Sequence, residues 1–226
     1  KCAAGHARGD YPVLAGAGAI AMADTARLLR IRGDAMQKAV PVGEGAMAAL
    51  LGLDFDDAAE IAAAAAQGEV CQAANDNAPG QVVMSGSKAA VERAIGLAQG
   101  KGAKRAMLLP VSAPFHCALM APAAEAMHAA LATTRINAPA VPLVANVLAA
   151  PISDPDEIRA RLVEQVTGTV RWRESVAAMA GAGVTRLYEL GSGKVLTGLA
   201  RRIDRSLEGA AIGGPGDSDA VIGDVV

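Results

Sequence analysis

Three short stretches carry side chains whose types and spacing could do chemistry. Gly5-His6-Ala7-Arg8-Gly9 has the glycine spacing of a nucleophile elbow, a crowded strand-to-helix turn that lifts its central side chain into a site. The central residue is Ala7, which has no atom able to attack a carbonyl, and two glycines four apart also mark an ordinary turn. Arg32 is the second candidate. On a helical wheel over residues 24–40, Leu28, Ile31, Ala35, Met36 and Ala39 share a face with Arg32 among them, while Arg27, Arg30, Asp34 and Lys38 take the other side. A guanidinium on an apolar face is costly to desolvate unless an anion meets it, and its planar fork suits a carboxylate bidentately. That anion is either a ligand or an internal Asp or Glu. The third is His116, in Val111-Ser112-Ala113-Pro114-Phe115-His116-Cys117 between a strand and a helix, a position open to a general base and equally to a core or capping histidine. His128, mid-helix among alanines, and His6 read as structural. Gly191-Ser192-Gly193-Lys194 suggests a phosphate loop, but Val195 replaces the needed Ser or Thr, so it reads as a strand-to-helix turn.

These residues are set among elements with a regular order. Residues 46–53 form an apolar strand-like run and 54–67 an alanine-rich helix. Runs at 70–74 and 81–85 read as a hairpin joined by Asn75-Asp76-Asn77-Ala78-Pro79-Gly80, whose composition favours reversal. A helix at 88–99 and a strand at 104–111 complete β-α-β-β-α-β, the ferredoxin-like unit, within residues 44–112. Outside it, strands at 141–147 and 186–190 alternate with helices at 118–133, 155–165, 173–182 and 194–207, which argues an α/β layer with a mainly parallel sheet. The turn-rich stretch 213–219 is expected to fray.

Composition narrows the function classes. The 226 residues are 52% apolar, but alanine and glycine supply much of this and no run reaches the roughly 18 residues of a membrane span. Net charge is −2 with scattered basic residues, so neither membrane nor nucleic acid is an expected partner. Cys2, Cys71 and Cys117 are odd in number and widely spaced, which fits neither a disulfide framework nor a zinc cluster and points to a reducing cytoplasm. No metal is expected. The chain starts at Lys1 with no leader pattern, and its true N-terminus is expected to be missing.

Taken together, five motifs resemble the malonyl-CoA:acyl carrier protein transacylases in order and spacing. They are Gly5 through Tyr11, Arg30-Ile31-Arg32-Gly33 with Met36-Gln37, Asn75 through Gln81, Ala113-Pro114-Phe115-His116, and Tyr188 through Leu196. The resemblance implies an α/β-hydrolase-like large subdomain (1–43 and 113–226) with an inserted ferredoxin-like small subdomain (44–112), the family's first third being absent. It implies a monomeric cytoplasmic acyltransferase of fatty acid biosynthesis, moving malonyl by ping-pong transfer from malonyl-CoA to the phosphopantetheine thiol of acyl carrier protein. The coenzyme A thioester is a substrate and no cofactor is needed. By the same resemblance, Ala7 stands where the family carries its nucleophilic serine, His116 matches the base, and the Gln165 backbone carbonyl orients it. Arg32 matches the residue that pairs with the malonyl carboxylate, and the N–H of Arg8 an oxyanion donor. Asn75 and Asn77 match polar residues near the cleft, and Phe115 the form associated with malonyl rather than branched units. Departures cluster at Ala7, Arg8 and Pro12. The cluster fits an engineered trap, a decayed copy, or a corrupted or incomplete reading of the N-terminal end. A single engineered Ser→Ala leaves Arg8 and Pro12 unexplained, and the chain as it stands is expected to be inactive. The alternative is a non-catalytic module that binds acyl-CoA or acyl carrier protein.

Overall fold

The computed structural model describes residues 1–217. Strand β1 (Ala3–Ala4) leads through a 3-10 turn (Ala7–Gly9) into α1 (Asp10–Gly16), and α2 (Met22–Ala39) follows. Pro12 is the third residue of α1, inside the first turn, where its missing N–H removes no helical bond.

Next come β2 (Gly45–Leu51), α3 (Phe55–Ala66), β3 (Cys71–Ala78), β4 (Gln81–Ser87), α4 (Lys88–Gly100) and β5 (Arg105–Leu108). The strands form one antiparallel sheet in the order β3-β4-β2-β5. Asp54 starts α3 by accepting the Asp57 N–H at 2.9 Å, and Gln67 ends it in the left-handed region at φ 46. Period-two alternation gives the sheet two faces. Ala48, Leu50, Ala73, Val82 and Met84 pack on the alanine faces of α3 and α4. Met47, Ala74 and Val83 lie on the other face with Leu109 and Phe115.

One turn expectation fails. Residues 75–77 continue β3 rather than reversing the chain, and Pro79-Gly80 alone separates the strands. Tertiary partners override the local turn preference: the Asp76 N–H donates to the Val170 carbonyl at 2.9 Å, and its buried carboxylate takes the Arg173 guanidinium at 2.8 Å. Pairing shifts from Ala73↔Met84 to Asn75↔Val83, so Ala74 is a bulge residue and Asn75 turns to the same face as Val83.

The rest of the chain supplies α5 (Ala121–Ala132), β6 (Leu143–Ala145), β7 (Ala150–Ile152), α6 (Pro155–Glu164), α7 (Trp172–Gly181), β8 (Arg186–Leu190), α8 (Val195–Ile203) and β9 (Glu208–Ile212). The single, mainly parallel sheet expected here is instead two pieces. β1 runs parallel to β6 while β7 pairs antiparallel with β6, and β8 and β9 form a separate parallel pair. The helix expected to 207 stops at Ile203, where the Asp204 carboxylate accepts the Ser206 N–H at 2.8 Å and turns the chain into β9. Leu14, Leu28, Met120, Met127, Leu131, Leu143, Ile158 and Leu162 build one core between α1, α2, α5, α6 and β6. Of the stretch expected to fray, Ser218 and Asp219 lie outside the described residues, while the Gly213 and Gly214 N–H groups donate to Asp217. Among the described residues, no helix is long and apolar enough to cross a membrane.

Candidate active site

The elbow is a strained turn held by amides. Ala7 adopts φ 53, a left-handed conformation that costs an L-residue roughly 1–2 kcal/mol and persists only when its surroundings fix it. Asn146, just past β6, does so. Its Oδ1 accepts the Ala7 N–H at 2.7 Å, and its Nδ2 donates to the Gly5 carbonyl at 2.6 Å and to Asp10 Oδ1 at 3.2 Å. The two elbow glycines differ. A Cβ on Gly5 would lie 2.0 Å from the Gly9 carbonyl carbon, whereas one on Gly9 would meet nothing within 4 Å. Crowding therefore demands glycine at position 5 only.

Ala7, Arg8, Arg32, Asn75, Phe115 and His116 line one cleft of about 680 Å³ between the elbow, α2 and the free face of β2 and β3. Arg32 is 7% exposed on the buried stripe of α2 with Leu28 and Met36, as its wheel position requires. Its hydrogen-bond acceptor is the Gln165 Oε1, at 3.0 Å, its buried Nε has no partner, and no described carboxylate reaches salt-bridge distance. The internal acid that would have explained Arg32 is therefore not in contact with it. Burial lowers the guanidinium pKa, and the nearby Tyr11 and Asp10 oppose the shift.

His116 sits after β5 at φ 59, itself left-handed. Its Nδ1 lies 2.9 Å from the Gln165 backbone oxygen, which can only accept, so Nδ1 carries the proton and Nε2 keeps its lone pair. Burial, reinforced by the Arg32 charge, lowers its pKa to about 4, which keeps the ring a neutral base at pH 7. Beneath the elbow, the buried Asp10 accepts the Gln165 Nε2 donor at 3.0 Å. Burial still outweighs its amide donors and the nearby guanidinium, raising its carboxyl to about 8.

The remaining candidates divide. Gln165 is not on the cleft wall but directly behind it, 1% exposed. Asn77 is set back too, its Oδ1 2.7 Å from His6 Nε2. His6, which read as structural, lines the cleft while packing edge-on against Trp172. His128 is exposed on α5, and Cys117 is fully buried with its thiol donating to the Pro114 carbonyl.

Residues 1–190 match the acyl transferase domain family. The chain is 49% identical over 212 residues to the malonyl CoA-acyl carrier protein transacylase of Escherichia coli K12, covering 94% of this chain and 69% of that one. The Bacillus subtilis transacylase is 42% identical over 213 residues, covering 94% and 67%. Among solved structures, the acyl-carrier-protein S-malonyltransferase of Bartonella henselae superposes with a TM-score of 0.96 at 55% identity, covering 99% of this chain and 71% of that one. The chain belongs to the malonyl-CoA:acyl carrier protein transacylase family. Its α/β fold is the acyltransferase fold. A further transacylase, solved in complex with its type II polyketide acyl carrier protein, is 41% identical with a TM-score of 0.96, covering 99% of this chain and 72% of that one.

In this transacylase chain, sequence reasoning gave no role to Asp10, Tyr11 or Asn146, although the first two close the motif that begins at Gly5. A signal existed for Asp10, which lies four residues before Leu14 on the buried side of α1. Asn146 was visible as the one polar residue interrupting the apolar run 141–152. Tyr11, fully buried with an unpartnered hydroxyl, had no signal beyond its place in that motif.

Proposed function

We propose that this cleft is built for malonyl transfer from malonyl-CoA to the phosphopantetheine thiol of acyl carrier protein, with position 7 as the acyl-carrying position. The observation that carries the reading is Arg32, a buried guanidinium in the same cleft as Ala7 and His116, with an unpartnered Nε and no carboxylate of the described residues in contact. A malonyl carboxylate is the anion of the right size and geometry. With a serine at position 7, its oxygen attacks the thioester carbon while His116 Nε2 takes the proton. The C–S bond then breaks and the imidazolium returns the proton to the departing coenzyme A thiolate; the carrier thiol reverses these steps. The Gln165 carbonyl fixes the ring, the Arg8 N–H faces the developing oxyanion, and Asn75 and Phe115 shape the acyl pocket. Asn77 acts one step back, through His6. Residues 44–112 form the small subdomain over a large one of 1–43 and 113–226, and the protein works as a cytoplasmic monomer without a cofactor.

Ala7 cannot form the acyl ester, so the chain transfers malonyl negligibly; loss of such a nucleophile costs on the order of 10⁶ in turnover. That same alanine in a preserved cleft favours a second reading, a non-catalytic module that binds acyl-CoA or acyl carrier protein. Mass spectrometry after incubation with malonyl-CoA separates the two. The Ala7→Ser variant gains one malonyl group at residue 7 and the unsubstituted chain gains none. A serine variant that binds malonyl-CoA but stays unmodified supports the binding module.

A further inference from the structure

Gln165, at the end of α6, has both ends of its side-chain amide committed. Arginine only donates, so the amide oxygen must face Arg32, which it meets at 3.0 Å. The amide nitrogen then donates to the Ala7 carbonyl and, at 3.0 Å, to Asp10 Oδ2. Turning the amide over would set donor against donor at Arg32 and acceptor against acceptor at the elbow. The guanidinium of the cleft is thus oriented by a neutral oxygen, tied through one side chain to the backbone of position 7.

We propose that the Gln165 side chain is a specificity-determining positioning residue, aiming the Arg32 guanidinium into the cleft while leaving its charge uncompensated for an incoming carboxylate. This role is separate from that of the Gln165 backbone carbonyl on His116, and it rests on the reading of Arg32 as the carboxylate-binding residue. A charged acceptor at the same place would form a charge-assisted bond to Arg32, roughly twice as strong as a neutral one, and would compete with the substrate's carboxylate. Glutamate is that acceptor with nearly unchanged shape. Its second oxygen can take a hydrogen bond from Asp10, whose carboxyl is protonated below about 8, but it gives up the donation to the Ala7 carbonyl, so the variant's fold is checked before its binding is read.

Ala7 leaves thioesters unconsumed, so equilibrium binding of malonyl-CoA and acetyl-CoA can be measured by calorimetry. The unsubstituted chain prefers malonyl-CoA. Gln165→Glu loses at least about tenfold of that preference, through weaker malonyl-CoA binding with acetyl-CoA nearly unchanged. A folded Gln165→Glu chain that keeps the preference, while Arg32→Ala loses it, overturns the role of Gln165 and leaves the Arg32 reading standing. An unsubstituted chain with no preference overturns the Arg32 reading and this inference with it. A measurement without substitution covers the case in which the variant fails to fold. In the ¹⁵N spectrum, malonyl-CoA shifts the Gln165 side-chain amide and acetyl-CoA does not, and equal responses to the two overturn the proposal.

Discussion

Between the four-stranded sheet and helices α3 and α4, the hydrophobic core is built of alanine, valine, leucine, isoleucine and methionine with Cys71. Beneath the elbow, by contrast, Asp10, Arg32, His116, Asn146 and Gln165 are all buried and bonded to one another or to the elbow backbone. The first layer is held by shape and volume, and no single residue in it specifies a direction. The second is held by donors matched to acceptors, so each side chain fixes the orientation of the next. Of the four left-handed non-glycine residues among those described, Ala7 and His116 belong to the polar layer and are held by direct hydrogen bonds, while Gln67 ends α3 and Ala149 lies in the turn before β7.

The contrast can be broken at four positions. Gly5→Ala should do the most damage, because its Cβ would meet backbone at 2.0 Å; we expect a loss of at least about 4 kcal/mol in denaturant unfolding. A loss below about 1 kcal/mol would show that the elbow yields easily. Leu50→Ala in the apolar layer should cost about 2–5 kcal/mol in the same assay as a cavity effect, with little change in malonyl-CoA binding. Equal damage to binding would mean that the two layers are not independent.

Asp10→Asn tests the polar layer through pH. The Asp10 carboxyl is raised from its ordinary 3.8 to about 8, so the folded chain holds the proton more tightly. Its stabilising contribution is full below 3.8 and is lost as pH rises towards about 8, by up to about 1.4 kcal/mol per pH unit. His116, lowered from 6.5 to about 4, acts in the opposite sense, its contribution being present above 6.5 and lost as pH falls. The two oppose each other between about 4 and 6.5, and of these two only Asp10 acts from 6.5 to about 8. Asp10→Asn should remove a decline in urea-unfolding stability over that upper window. A variant whose decline matches the parent's would show that Asp10 is already ionised there. The smallest effect is expected from Gly9→Ala, whose Cβ meets nothing, at under about 1 kcal/mol.

The two layers were also unequally legible in the sequence. The strand and helix order between Gly45 and Leu108 could be read because alternation and alanine-rich helical runs are local signals. Arg32 was legible for the same reason, as one cation on an apolar stripe. Residues 75–77 were misread because their turn chemistry is local while Val170 and Arg173, which hold them extended, are about a hundred positions away. β9 has no alternation of its own and exists through parallel pairing with β8. The polar layer was half visible: the family resemblance pointed to the Gln165 carbonyl that His116 meets, but not to the side-chain links through Asp10 and Asn146. Those links join segments some 140 residues apart and leave no periodic trace.

The central claim is that this cleft reads a carboxylate through Arg32. The most direct test gives the Ala7→Ser chain equal malonyl-CoA and acetyl-CoA and counts the two adducts by mass spectrometry, with and without Arg32→Ala. Removing the guanidinium should lower the malonyl-to-acetyl ratio by at least about tenfold, because only malonyl loses a charge-assisted pair worth roughly 1.5–3 kcal/mol. The malonyl adduct should fall while the acetyl adduct holds. Equal losses of both would contradict the account and make Arg32 a residue that supports the elbow through Gln165 alone.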